Sequence, residues 1–473
     1  MSNHIDTISD ENNGIEKNRL PGEKEPEPVD IKSVRKNITS LAIPSIGEFI
    51  LHMSIGIVDL AFVGRLGAEA TASSGIAWQV IWFMSMLFFG INAGTIALVA
   101  RYTGAGHKEK AQAAAGQSLI IATILSFFAT LFFIYYADGI LRILGAKPDI
   151  TQMGASYLRI LASSFMCMSL MMNITASIKS SGDTRTPMFI AGALVVLNVF
   201  LDYGLIFGKF GLPAHGFLGS AEASVIVTSL GTIFCITGIF LGWFKIKITP
   251  ENFLRLRWDI IGKILKIGLP VSLEHLFWVT AAALFVWMVA RMGTVPLAVH
   301  NILLRAESFS FMPGIGFSVA ARVAVGQALG EGNKAKARAC AWESVKMGSV
   351  LMGAVGLVFV LFPHMFIKIF TNDPAVIAGG AETLRIIGII QPIQGILFVL
   401  MGTLKGAGDT KATMVIAFVG LWCVRIPLAY IFGVTLGLGV LGAWGIGMTV
   451  DIALRAYLCY HRFLGGKWMK VKV

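Results

Sequence analysis

Charge is what this sequence has least of. Only 14% of its 473 residues are Asp, Glu, Lys or Arg, against about 25% in soluble globular domains. Cysteine is sparse as well. There are five, Cys167, Cys235, Cys340, Cys423 and Cys459, with no CxxC spacing and no His/Cys cluster. An odd, scattered set of this kind excludes a disulfide framework and a thiolate metal site, and leaves small packing residues. Catalytic signatures are missing too: there is no GxSxG, no HExxH and no Walker motif. The chain is therefore not read as an enzyme, and without a phosphate-binding loop it cannot drive transport with ATP by itself. No cofactor is expected.

Apolar runs stand where the charges are missing. Hydrophobic residues make up 55% of the chain, in stretches of about 20 or more, long enough to cross a bilayer as helices. The runs do not alternate polar with apolar residues, which excludes a transmembrane barrel. The fold class expected is an all-α polytopic membrane protein with twelve helices near 38–63, 74–99, 113–136, 152–176, 187–207, 219–243, 262–290, 300–325, 341–364, 377–402, 413–433 and 440–461. The net charge of +12 does not point to nucleic acid, because the Lys and Arg sit in short connections between apolar runs. Alternate connections are basic: Lys108 and Lys110, Lys179 and Arg185, Lys245 to Lys266, Lys334 and Lys336, Lys405 and Lys411. The positive-inside rule places these and both termini in the cytoplasm, with the chain multi-pass in the cell inner (plasma) membrane. Residues 1–34 read as a disordered acidic tail, and 464–473 as a basic cytoplasmic tail.

The chain repeats itself. Lys179 to Met188 (KSSGDTRTPM) matches Lys405 to Met414 (KGAGDTKATM), an offset of 405 − 179 = 226. The same offset pairs Pro44 with Pro270, Glu48 with Glu274, Gly67 with Gly293 and Gly104 with Gly330. After the fifth helix it slips to 223, pairing Gly216 with Gly439. Each half then holds six helices, 35–245 and 246–463. An even number of spans returns the chain to its starting side, so the lobes are like-oriented and related by a pseudo-two-fold along the membrane normal. Two such lobes suit alternating access about a shared cleft. A passive duplicated scaffold is the competing reading.

The charges inside the apolar runs break that symmetry. Glu48, His52 and Asp59 fall on one face of the first helix, at offsets of 0, 4 and 11 residues. Asn198 and Asp202 stack one turn apart on the fifth helix. Ionisable groups at such depth are functional candidates, and a carboxylate with an amide oxygen supplies hard ligands for an alkali cation or a proton. Their repeat mates are Phe285, Val424 and Leu428, which confines the constellation to the first lobe. Asp202 could instead mark a helix end. His52 reads either as a proton relay or as a hydrogen-bonded core histidine. Asp451 and Arg455, spaced i, i+4, read as an internal salt bridge.

Val58 to Gly67 (VDLAFVGRLG), the paired GDT loops, and the twin loops Gly104 to Ala111 and Gly330 to Ala337 resemble the multidrug and toxic compound extrusion (MATE) family over residues 35–465. The resemblance implies two six-helix lobes in a V and an antiporter that exports organic, often cationic compounds against inward Na⁺ or H⁺. It also implies sodium-site roles for Asp59, Asn198, Asp202 and Ser224, and a bend of helix 1 at Pro44. Glu274 matches a coupling Glu of one subfamily, whose partner on the tenth helix is an Asp. Here that position holds Gln391, which takes a carboxylate away from any site in the second lobe. Glu274 could hold a proton, bind a cation, or pair with His275 or Arg305, and Glu48 reads as a helix-entry charge. The partners expected are a small organic substrate and membrane lipid, with no nucleic acid and a monomer as the working unit. The alternative is a lipid or lipid-linked oligosaccharide flippase, for which Arg305 and Arg425 would hold the pyrophosphate.

Overall fold

The computed structural model describes residues 29–143 and 148–471. Most of the acidic N-terminal stretch, residues 1–28, therefore lies outside it. Helices α1 to α3 are Ile31–Val63, Ala68–Gly104 and Lys108–Ile143. Helix α4 is broken at Ser164 into Pro148–Ser163 and Phe165–Ser180, bent by 45°. Arg185–Phe207 (α5) and Phe217–Leu241 (α6) complete the N-lobe. The C-lobe follows with α7 (Trp258–Met292), α8 (Thr294–Gly330), α9 (Lys334–Leu361), α10 (Pro374–Gly406) and α11 (Thr410–Thr435). Its last helix, α12, runs from Leu441–Met448 into Thr449–Leu464. No strand occurs among the described residues.

All twelve expected helices are present, and most run several residues beyond the apolar run that announced them. Two of the starts are set by side-chain caps. Asp30 accepts from the Lys32 amide before α1, and Asn333 accepts from the Lys336 amide before α9. Among the described residues, ten helices are long and apolar enough to cross a membrane, and the bent α4 makes an eleventh. In α12 the first half is wound as a π-helix and the second carries Asp451 and Arg455. Helix α11 also contains two π stretches, Val419–Arg425 and Ala429–Thr435, whereas its N-lobe counterpart α5 is regular.

The lobes meet where side chains are absent. In hydrocarbon the hydrophobic effect does not drive helices together, so close backbone packing must. Gly90 of α2 lies on the Gly268 backbone of α7, and Gly316 of α8 lies on α1 at Ala42 and Ile46. Gly104 of α2 abuts the Gln327 carbonyl, and Gly330 of α8 abuts the Arg101 carbonyl, with no room for a Cβ at either. These contacts repeat at the offset of 226 (316 − 90, 268 − 42, 330 − 104, 327 − 101). The sequence symmetry is thus a symmetry of packing. The hydrogen bonds that cross between lobes cluster at the end bearing the basic connections. Arg35 reaches Glu343 (2.9 Å), Gln327 reaches the Ser180 carbonyl (2.9 Å), and Arg101 reaches the Val471 carbonyl (2.9 Å). The segment joining the lobes is held by Gln117, whose amide donates to the Asn252 and Arg255 carbonyls and accepts from the Arg257 amide.

Candidate ion-coupling site between α1 and α5

Helices α1 and α5 run parallel and in register. Thr184 donates to the Ser40 carbonyl at the basic end (3.2 Å). Gly47 fits against Met188, Gly192 lies beside Leu51, and Phe62 packs on Tyr203 and Phe207 at the far end. Three of these contacts share an offset of 141 (188 − 47, 192 − 51, 203 − 62). The same offset sets Asp59 level with position 200, between Asn198 and Asp202 one turn apart. All three are buried, at 4%, 2% and 0% exposure, and the two carboxyls are near enough to interact electrostatically. Helix α5 continues past Asp202 to Phe207, so Asp202 sits within the helix and does not mark its end.

The donor set is distinctive. Both carboxyl oxygens of Asp59, both of Asp202 and the amide oxygen of Asn198 are buried and have no hydrogen-bond donor from the protein. Buried oxygens normally have partners, and a bare buried charge is costly. Two carboxylates facing each other in apolar surroundings would both repel and lack solvation, so the site calls for a proton or a cation. Its ligands are oxygens alone, which suits a hard ion. Tyr157 of α4, stacked on Phe217 (4.6 Å), lies within electrostatic reach of both carboxyls and opposite Ser220 (3.4 Å). Ser224 is half-buried on α6. Ser220, one turn before it and fully buried, is the hydroxyl on that helix tied to Tyr157. Sequence reasoning missed Tyr157 and Ser220. The repeat carried a signal for Ser220, whose mate at offset 223 is Ala443.

The other intramembrane charges fall into separate sets. Lys179 donates to Glu48 (2.7 Å), and its repeat mate Lys405 donates to Glu274 (2.6 Å). Glu274 thus pairs with the lysine that opens its own GDT loop, and neither His275 nor Arg305 is its partner. It also accepts from Thr413 (2.9 Å), whereas the second oxygen of Glu48 has no donor. Glu48 is a latch between α1 and the α4–α5 corner rather than a helix-entry charge. His275 stacks between Phe89 and Trp278, and Arg305 is exposed. His52 is exposed on α1, which removes it from the core. Pro44 is buried within an unbroken α1. Gln391 accepts from Ser310 (2.5 Å), beside the buried Glu307 that accepts from Gln394 (3.1 Å). Asp451 and Arg455 form the bridge their spacing predicts (2.7 Å), and Arg425 joins it from α11 (2.7 Å). Gly420 leaves the space for this triad, since a Cβ there would meet Asp451 and Arg455. No cluster of three or more His, Cys, Asp or Glu able to hold a metal occurs among the described residues.

The MatE family model matches the chain twice, over residues 44–204 and 270–431, with starts 226 residues apart. The chain belongs to the MatE family. Among its relatives is a probable multidrug resistance protein NorM of Thermotoga maritima, 33% identical, with 96% of each chain covered. A probable multidrug resistance protein NorM of Agrobacterium fabrum is 30% identical over 90% of this chain and 92% of its own. The fold is that of a MOP superfamily transporter from Pyrococcus furiosus, with a TM-score of 0.85, 23% identity, and 95% of this chain and 100% of that one covered. A MATE structure in the straight conformation superposes equally well, with 92% of this chain and 97% of that one covered at 23% identity. In this MatE-family chain the repeated unit is the family unit itself, and the buried set of Asp59, Asn198 and Asp202 is what the first copy adds.

Proposed function

We propose that this MatE-family transporter exports organic, cationic and amphiphilic compounds from the cell by alternating access, in exchange for inward Na⁺ or H⁺. The observation that carries the reading is the set of five buried oxygens on Asp59, Asn198 and Asp202 without a donor. The names of the NorM relatives support multidrug efflux as the class of work. A proton or cation entering between the two carboxyls cancels their repulsion and draws α1 toward α5. Losing it lets the far half of α1 move, with Pro44 the point where the helix lacks a backbone donor and bends most easily. Binding the ion and binding the drug then favour different arrangements of α1, which couples them.

The test is efflux of a fluorescent organic cation from proteoliposomes with a Na⁺ gradient or a proton gradient imposed alone. Export driven by either gradient supports the antiporter. Gradient-independent scrambling of a labelled lipid, with no cation export, would replace it by the flippase. The flippase reading draws little from Arg425, which is held in the bridge with Asp451, or from Arg305, which is exposed.

A further inference from the structure

We propose that the corner where α1 and α5 begin binds one anionic phospholipid. A groove of about 920 Å³ lies there, between the first turns of the two helices. Its rim carries Lys32, Lys36 and Arg185, all exposed. Below the rim the lining turns apolar, with Ile43 61% exposed and Phe189 68% exposed. Lys36 and Ile43 are seven residues apart, about 10 Å along a helix. That is the layout of an anionic headgroup over the start of an acyl chain. A free phosphate would use the rim and leave the apolar lining uncovered.

Two further observations separate this corner from the general basic character of its end of the bundle. First, neighbouring cations are already matched: Arg35 with Glu343, Lys179 with Glu48, and Lys336 with Glu331. Lys32, Lys36 and Arg185 have no carboxylate partner among the described residues. Second, the repeat supplies an internal control. The C-lobe mates of Lys32 and Lys36 are Trp258 and Gly262 (32 + 226, 36 + 226), and only Lys411, the mate of Arg185, keeps its charge. The duplicated fold therefore forms without these lysines, and their charge is left for a ligand. Juxtamembrane cations attract anionic lipid. The groove straddles the two helices whose far halves carry Asp59, Asn198 and Asp202, so a lipid seated in it braces the helix pair that holds the ion site.

The test is binding alone, so it stands apart from the transport reading. Phosphatidylglycerol and phosphatidylcholine of identical chains are titrated into the full-length, delipidated protein in detergent, and bound lipid is counted by native mass spectrometry. The wild type is expected to hold the first phosphatidylglycerol about tenfold tighter than phosphatidylcholine. The variant K32Q/K36Q/R185Q is expected to lose that preference with its Tm unchanged, since the three side chains are exposed and unpaired. Lys411→Gln is expected to keep it. The proposal is overturned if the wild type shows no preference, or if the preference survives in the triple variant. It is also overturned if excess inorganic phosphate displaces the lipid, which would make the groove a simple anion site. A rise in phosphatidylglycerol affinity on deleting residues 1–28 would make the acidic N-terminal segment the occupant and overturn it equally.

Discussion

At the level of Asp59 the N-lobe holds two carboxyls and an amide. At the same level the C-lobe holds Phe285, packed near His300 (5.8 Å) and Trp444 (6.1 Å), with the Trp444 indole donating to His300 (2.9 Å). The two halves share the glycine contacts between the lobes and the Glu–Lys latch, so neither feature depends on the acids that differ. The C-lobe buries acids of its own, but differently. Asp451 is held by two arginines, and Glu307 by an amide. Among the described buried acids, Asp59 and Asp202 are left with no donor to either oxygen. One copy of a duplicated unit thus leaves two facing carboxyls without a donor, and the other pairs Asp451 and Glu307 with groups of its own.

Substitutions can break this comparison at graded cost. The largest effect is expected at Asp202→Asn, which removes one of the facing carboxyls. Gradient-driven dye export should fall to that of protein-free vesicles while the purified protein keeps its thermal unfolding profile. Next comes the satisfied charge of the C-lobe. Asp451→Asn leaves Arg425 and Arg455 buried without their anion and should cost about 3–5 kcal/mol, seen as a large fall in Tm in detergent with expression reduced. A smaller contrast separates the two latches. Lys179→Met strips Glu48 of its ammonium donor, whereas Lys405→Met leaves Glu274 the Thr413 hydroxyl. Both should destabilise, the first by about 1 kcal/mol more than the second. Equal losses in thermal unfolding would show that Thr413 adds nothing.

Much of the architecture was legible in the sequence, and for physical reasons. Span length is set by the bilayer, so apolar runs report helices directly. The offset of 226 reported the lobes, and one glycine pair that obeys it, Gly104 and Gly330, turned out to lie at the lobe interface. Asp59, Asn198 and Asp202 could be found because charge inside an apolar run is rare. The partners of Glu48 and Glu274 were harder to see. Each lysine lies 131 residues away in a loop whose charge reads as topology. His52 shares a helical face with Asp59, but a face seen in sequence does not say which of its residues the neighbouring helix covers. The break of α4 at Ser164 left no local mark, because no Pro or Gly stands there, whereas the π turns of α11 contain Gly420 and Gly433 with Pro427 between them.

The central claim is that ion coupling resides in the N-lobe acids and not in those of the C-lobe. Its most direct test is export under a Na⁺ gradient and under a proton gradient, each imposed alone, in Asp59→Asn beside Glu307→Gln. Both substitutions replace a buried acid by its amide of nearly the same shape. The account predicts no gradient-driven export by Asp59→Asn and near wild-type export by Glu307→Gln. Export by Asp59→Asn under either gradient, or its loss in a folded Glu307→Gln protein, would contradict it.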